Sequence, residues 1–249
     1  MTAQATVGGT TVDCIMVYIS ANEVGAILPS STPTGTGTLT INNNGQTATA
    51  PITVVPAAFG IFTQSQTGSG AAEAFNLSPD GTSTLNTLLA PASTGQTMML
   101  NGTGLGAIAS DETQSGVTDA AATSPQVWVG LQQATVVSAS RGSCCTGIDP
   151  SFEVPQGVAG WDVIQFVVPD GVTGCHVPVA VQTGNTVSNF AERAFDEAER
   201  LGSMAALVRC SCQQICLGII QFVQRGHHVR LIGRHGRAGK ESRVACAWL

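Results

Sequence analysis

An order of short segments occurs twice in the first 190 residues, and this internal repeat constrains the fold more than any other feature of the chain. Ala5-Thr6-Val7-Gly8 opens the first copy and leads through Gly9 into Thr11–Ile19; Glu23–Leu28 follows and stops at Pro29. Thr36–Ile41 then runs into Asn42-Asn43-Asn44-Gly45 and returns as Gln46–Val55. The second copy repeats the order with Val127–Gly130, Ala134–Ser140, Val163–Pro169, Val177–Gln182, Gly184-Asn185 and Thr186–Phe190. Runs of four to eight residues rich in Val, Ile and Thr, punctuated by Gly, Pro and Asn, are strand signals. Asn44-Gly45 between two such runs predicts a hairpin, because both residues tolerate the positive φ of a type I′ turn. Pro29, Pro33 and Pro51 fall at strand ends or edges, where a missing N–H is harmless.

The two copies are not equally complete. Thr94–Leu100 precedes the second copy as a further strand and flows into Asn101-Gly102-Thr103-Gly104-Leu105-Gly106. The first copy opens at what is a middle strand of the second. Residues 1–56 therefore read as the C-terminal part of a module whose early strands lie outside the chain, with upstream domains missing. Residues 57–89, in which Phe59-Gly60-Ile61-Phe62 precedes a Ser/Gly-rich stretch, read as a junction, and about 90–190 as a complete second module.

Composition narrows the class. Only 10% of the residues are charged, far below the roughly 25% usual for a soluble domain, and hydrophobic residues reach 43% with a net charge of −6. That balance excludes an intrinsically disordered chain. It suits an exported β protein whose polar surface comes from Thr, Ser, Asn and Gln. The opening MTAQATVGGT has neither the charged nor the apolar region of a secretory signal. The most apolar stretch, Met204–Val223, is interrupted by Arg209, Gln213 and Gln214 and does not read as a membrane span.

The runs VGGTTVDCIMVYIS, AILPSSTPTGTGTLTINNNGQTATAPITVVPAAFGIF, GTGLG, VWVG and CCTGID, with VPDGVTGCHVPVAVQTGNTVSNF, resemble a family of uncharacterised exported acidobacterial proteins. The C-terminal regions of that family carry tandem IPT/TIG-like immunoglobulin modules. The likeness covers about residues 1–190 and stops near Phe190. It implies a mainly β fold of tandem immunoglobulin-like sandwiches, the first incomplete, and an extracellular or cell-surface setting. It carries over no catalytic residues and leaves the ligand open.

Few residues invite chemistry. Cys144 and Cys145 sit together in a Ser/Gly loop and Cys175 opens a strand of the same module, so a disulfide from Cys175 to one of the pair competes with buried thiols. Cys14, inside an apolar run, reads as core. A Cys175–His176 dyad is disfavoured, because neighbours on a strand point to opposite faces, and no G-x-S-x-G elbow is present. Asp111-Glu112 reads as a solvated turn. Asp80, with Asn76 and Ser78, offers too few oxygens for calcium. The glycines of 102–106 match neither the dinucleotide nor the phosphate-loop spacing. Among the tryptophans, Trp161 is the candidate contact surface and Trp128 reads as core.

The tail, 191–249, differs from all this. Residues 1–190 hold one basic side chain, Arg141, against eleven acidic ones, whereas the tail holds nine basic residues, eight of them Arg, against five acidic. Phe195, Ala198 and Leu201 at helical spacing predict a helix from Ala191, and Leu207–Val223 a second. The Arg, Gly, His and Cys bias is also what out-of-frame translation of a GC-rich gene gives. Cys210, Cys212 and Cys216 with His227, His228 and His235 suggest a metal site only weakly, since one compact cluster stands where structural zinc wants two. The expected role is a non-catalytic structural or adhesive module of a secreted or surface protein, contacting polysaccharide or protein and requiring no cofactor. The alternative is a metal- or thiol-dependent enzyme, or a nucleic-acid binder, using the tail; for nucleic acid the ordered basic stripe is missing.

Overall fold

The computed structural model describes residues 1–20, 23–114, 119–142, 160–196 and 243–247. These residues form strands and turns with no helix among them. In the first copy the strands are β1 (Thr2–Val7), β2 (Thr10–Asp13), β3 (Ile15–Ile19), β4 (Glu23–Ile27), β5 (Gly35–Asn43) and β6 (Gln46–Val54). One sheet runs β2-β1-β5-β6, and β3 pairs antiparallel with β4 in another. Period-two alternation puts Ala5, Val7, Leu39, Ile52 and Val54 on one buried face, as half-buried antiparallel strands require. The predicted turn is formed: Asn44 and Gly45 have φ of 51° and 86°, and Asn42 Oδ1 accepts a bond from Gly45 N at 3.0 Å.

The second unit contains β7 (Gly60–Ile61), β8 (Ala74–Leu77), β9 (Ser83–Leu85), β10 (Ala92–Ser93), β11 (Thr97–Thr103), β12 (Gln126–Val129), β13 (Gln132–Arg141), β14 (Asp162–Val167), β15 (Gly174–Thr183), β16 (Thr186–Val187) and β17 (Ala191–Asp196). Their hydrogen-bonded order is β10-β17-β15-β12-β13-β14-β11-β8-β9, with β16 on β15 and β7 on β11. The long β13 belongs to both wings of this order, and its register slips between Val136 and Ser138. A bulge there bends the strand and lets it leave one wing for the other. Met98, Leu100, Ile164 and Phe166 from one wing and Val127, Val129, Val179 and Val181 from the other then enter a single core. A last strand, β18 (Arg243–Ala247), pairs in parallel with β4.

The two units share some local pairings. In each unit a central strand lies between a hairpin partner and the strand of the second hairpin: β1 between β2 and β5, β12 between β13 and β15. Each first hairpin closes over two residues, Gly8-Gly9 and Gly130-Leu131. The bulge recurs too, between Met16 and Tyr18 in β3 as between Val136 and Ser138 in β13.

One expectation changes. The helix expected from Ala191 is not formed: Ala191–Asp196 is β17, antiparallel to β15 through Val179↔Ala191 and Val177↔Arg193, and parallel to β10. Burial of Ala191 and Phe195 in the main core outweighs the helical spacing of Phe195, Ala198 and Leu201. Residues 57–89 contribute Phe59, Ile61, Ala72 and Ala74 to that core. The remainder of the tail up to residue 242, including Leu207–Val223, Cys210, Cys212, Cys216, His227, His228 and His235, lies outside the described residues.

Candidate functional site: the joint between the units

The path from β6 to β7 is held by close backbone contacts. Pro56, Ala57, Ala58 and Phe59 lie across the end of β11 and the turn after it. A Cβ on Gly102 would meet the Phe59 ring at 2.3 Å, one on Gly104 the Ala58 carbonyl oxygen at 2.3 Å, and one on Gly106 the Pro56 carbonyl oxygen at 2.7 Å. Gly104 and Gly106 also hold φ of +103° and +107°, so side chains are excluded there by conformation as well as by space. The glycines that superficially suggested a nucleotide loop are a bed for the chain's own backbone. Ala58 N donates to Gly104 O at 2.9 Å. Ile61 N donates to Asn189 Oδ1 at 2.7 Å, and Asn189 Nδ2 returns a bond to Ile61 O at 3.0 Å.

A buried carboxylate fixes the bed. Asp162, at the start of β14, accepts Gly104 N at 2.7 Å and Leu105 N at 2.8 Å on the same oxygen, Oδ2. Burial is the main influence on this carboxyl and pushes it up to about 6; the two N–H donors and the charge of Arg141 pull it the other way. Arg141 is its cross-strand partner on β13 and is only 1% exposed.

The Arg141 guanidinium organises the loop that precedes β12. It donates to the carbonyls of Asp111 at 3.3 Å, Glu112 at 3.4 Å and Gln114 at 2.7 Å, and stands 3.6 Å from the Asp119 carboxylate. Ser110 Oγ holds the other Asp119 oxygen at 2.7 Å. Thus shaped, the loop reaches the first unit. Glu112 Oε1 accepts a hydrogen bond from Ser30 N, and Ser30 Oγ accepts one from Ile108 N at 2.9 Å. Of the expected solvated pair, Asp111 caps Thr113, whose hydroxyl and N–H hold its exposed carboxyl below the usual range; Glu112 is the clasp. Arg141 had a signal in the sequence, as the lone base in 190 residues. Ser30 had none.

A second polar cluster ties β17 to the body. Asn86, fully buried, donates from Nδ2 to Asn76 Oδ1 and to Ala194 O, both at 2.9 Å, and accepts Ala194 N at 3.1 Å. Arg193 Nη1 donates to Asn86 O at 2.9 Å, and burial lowers the Arg193 pKa to about 10. Nearby, burial raises Glu73, against the pull of the Asn101 amide and of Arg193.

The other candidates fall elsewhere. Trp161 is half-buried, edge-on to Phe62 with ring centroids 4.9 Å apart, and packs on Phe75, Met99 and Val163. Trp128, expected in the core, takes the opposite face from the fully buried Val127 and Val129. Cys175 is half-buried at the irregular start of β15, and Cys144 and Cys145 lie outside the described residues. His176 is exposed and meets Glu192 Oε2 at 3.0 Å. Asp80 closes its own turn on Thr82. Among the described residues no group of three His, Cys, Asp or Glu side chains converges as a metal site, and no helix is long and apolar enough to cross a membrane. No protein-family model matches the chain, and no curated protein is similar enough to count as a match.

Proposed function

We propose that this chain is a non-catalytic structural or adhesive segment of an exported bacterial surface protein, built from immunoglobulin-like modules of the IPT/TIG type. The strand order of the second unit supports the module type. β11-β14-β13 forms one wing, β17-β15-β12-β13 the other, and short β10 runs parallel to the last strand. An immunoglobulin-like sandwich packs two antiparallel sheets in a comparable arrangement, and a strand can pass from one sheet to the other at a bulge. Low charge and Thr-, Asn- and Gly-rich strands support the exported setting.

The joint carries the reading. Among the described residues the most deeply buried charges of the second unit, Arg141 and Asp162, are spent on holding a connecting path and a clasp, and not on presenting a reactive group. A joint so determined suits a spacer that transmits position or force along a row of modules. Small-angle scattering of the purified chain, with Gly104→Val as comparison, tests it. The chain should scatter as one shape with a fixed inter-unit angle. Gly104→Val, which drives a side chain into the Ala58 carbonyl, should broaden the distance distribution and speed proteolysis within 55–60, with Trp fluorescence reporting an intact core. Scattering from the unaltered chain that requires a broad range of angles would refute the spacer reading.

A further inference from the structure

The outer face of the β17-β15-β12-β13 wing serves neither the core nor the joint. Val127, Val129, Val179 and Val181 point into the core, so the residues between them point outward. Trp128, half-buried, stands directly opposite Gln133 of β13 on one side and Ala180 of β15 on the other. One rung beyond the Val179↔Ala191 pair, Phe190 comes level with Ala180 and is 54% exposed. Burying a phenylalanine is strongly favourable, yet Phe190 is the one exposed phenylalanine among the described residues. Ala180, between the two rings, is small and itself buried. The rings therefore flank a low strip and stand two strand separations apart, about 10 Å.

The surroundings of the rings are polar but uncharged. Gln126 stands opposite Gln182, and Gln133 beside Trp128, so side chains that both donate and accept hydrogen bonds lie around the indole. His176 and Glu192, at the Pro178 end of the face, meet each other at 3.0 Å. A charged ligand finds no counter-charge beside the rings, and amides interrupt the apolar centre that a second copy would need. We propose that this face binds an extended, neutral, β-linked polysaccharide. Sugar rings would stack by their C–H faces on Trp128 and Phe190, and their hydroxyls would bond to the amides of Gln126 and Gln133. The spacing of the two aromatic rings is close to the repeat of two sugar residues in such a chain. A flat sheet suits a straight chain and not a coiled α-linked one. This rests on the adhesive reading above, to which it gives a ligand class, and concerns a different face from the joint.

The probe is cellohexaose, titrated calorimetrically into the full-length chain, with α-linked maltohexaose as comparison. Saturable binding of cellohexaose is expected. Trp128→Ala should weaken it at least about tenfold, because the indole supplies most of the area such a ligand can cover. Phe190→Ala should weaken it several-fold, and Trp128→Phe, which keeps a ring, should retain most of it. Leu131→Ala, at an exposed hairpin tip away from the rings, should leave it unchanged. No binding of cellohexaose overturns the proposal, as does equal binding of maltohexaose or an affinity unchanged in both alanine variants. A dimer in sedimentation that Trp128→Ala abolishes would assign the face to a second copy and overturn it too. Failure to bind the sugar would leave the inter-unit angle seen by scattering as it is, so this proposal and the spacer reading fail separately.

Discussion

Asp162→Asn separates the cost of a buried charge from the value of the bonds it accepts. In the folded chain the carboxyl titrates at about 6 instead of the ordinary 3.8, with burial as the main cause. The sign follows directly: between those values the folded state holds a proton that the unfolded state has released. Stability from this group is therefore fully present below pH 3.8 and lost as pH rises to about 6, then constant. At about 1.4 kcal/mol per pH unit, ionised Asp162 burdens the folded state by about 3 kcal/mol above pH 6. Asparagine is neutral, and its one carbonyl oxygen can take the place of Oδ2, which receives both N–H groups. Guanidinium unfolding followed by Trp fluorescence, at intervals from pH 4.5 to 7.5, gives the assay. Relative to the unaltered chain, Asp162→Asn should gain about 2 kcal/mol over that range, and most of the gain should appear below pH 6.5. Glu73, whose pKa is also raised, and Asp80 and Asp111, whose pKa values are lowered, titrate alike in both proteins and cancel in the comparison. A difference that stays constant with pH would show that Asp162 is not desolvated as described, and the account of the joint would lose its electrostatic half.

Two further substitutions bracket the range of effects. Asn86→Ala strands the N–H and C=O of Ala194 and one oxygen of Asn76 in a fully buried site. It should lower the urea-unfolding free energy by about 3–4 kcal/mol and speed amide exchange first in β17. His176→Gln removes a pair whose side chains are 60% and 50% exposed and should change stability by less than about 0.5 kcal/mol; a loss several times larger in thermal melts would mean the pair anchors the start of β15.

The parts of the fold that local chemistry dictates were legible. Asn44-Gly45 specifies a hairpin through its own backbone preference, and both residues take the positive φ it calls for. The strand from Ala191 was harder to read. In the first unit β6 runs unbroken from Gln46 to Val54, whereas the stretch after Thr186 is split into β16 and β17. The split arises at Ser188, whose hydroxyl accepts the Val181 N–H while its own N–H goes to Val181 O. A side chain thus replaces one rung of the ladder, and the strand pattern in the sequence ends at Phe190 although the pairing resumes one residue later. Charged Glu192 and Arg193 then hide a strand whose Arg is satisfied partly by a distant backbone carbonyl, that of Asn86.

The joint was illegible for a different reason, and the glycines of 102–106 show why. Sequence reports that a side chain is absent; it does not report what occupies the space. Here the occupant is a backbone some 45 residues earlier, pressed so close that Gly102, Gly104 and Gly106 each exclude a Cβ. Arg141 is similar. One base among eleven acids could equally have been a solvated surface charge, and only the four carbonyl and carboxylate oxygens gathered around its guanidinium make it a core residue. A buried guanidinium with a planar fork of donors fixes several loop carbonyls at once, which a lysine in the same place would not do. The substitution that matters at Arg141 is therefore not removal of charge but loss of that fork, and the clasp on Ser30 depends on it although neither residue touches the other.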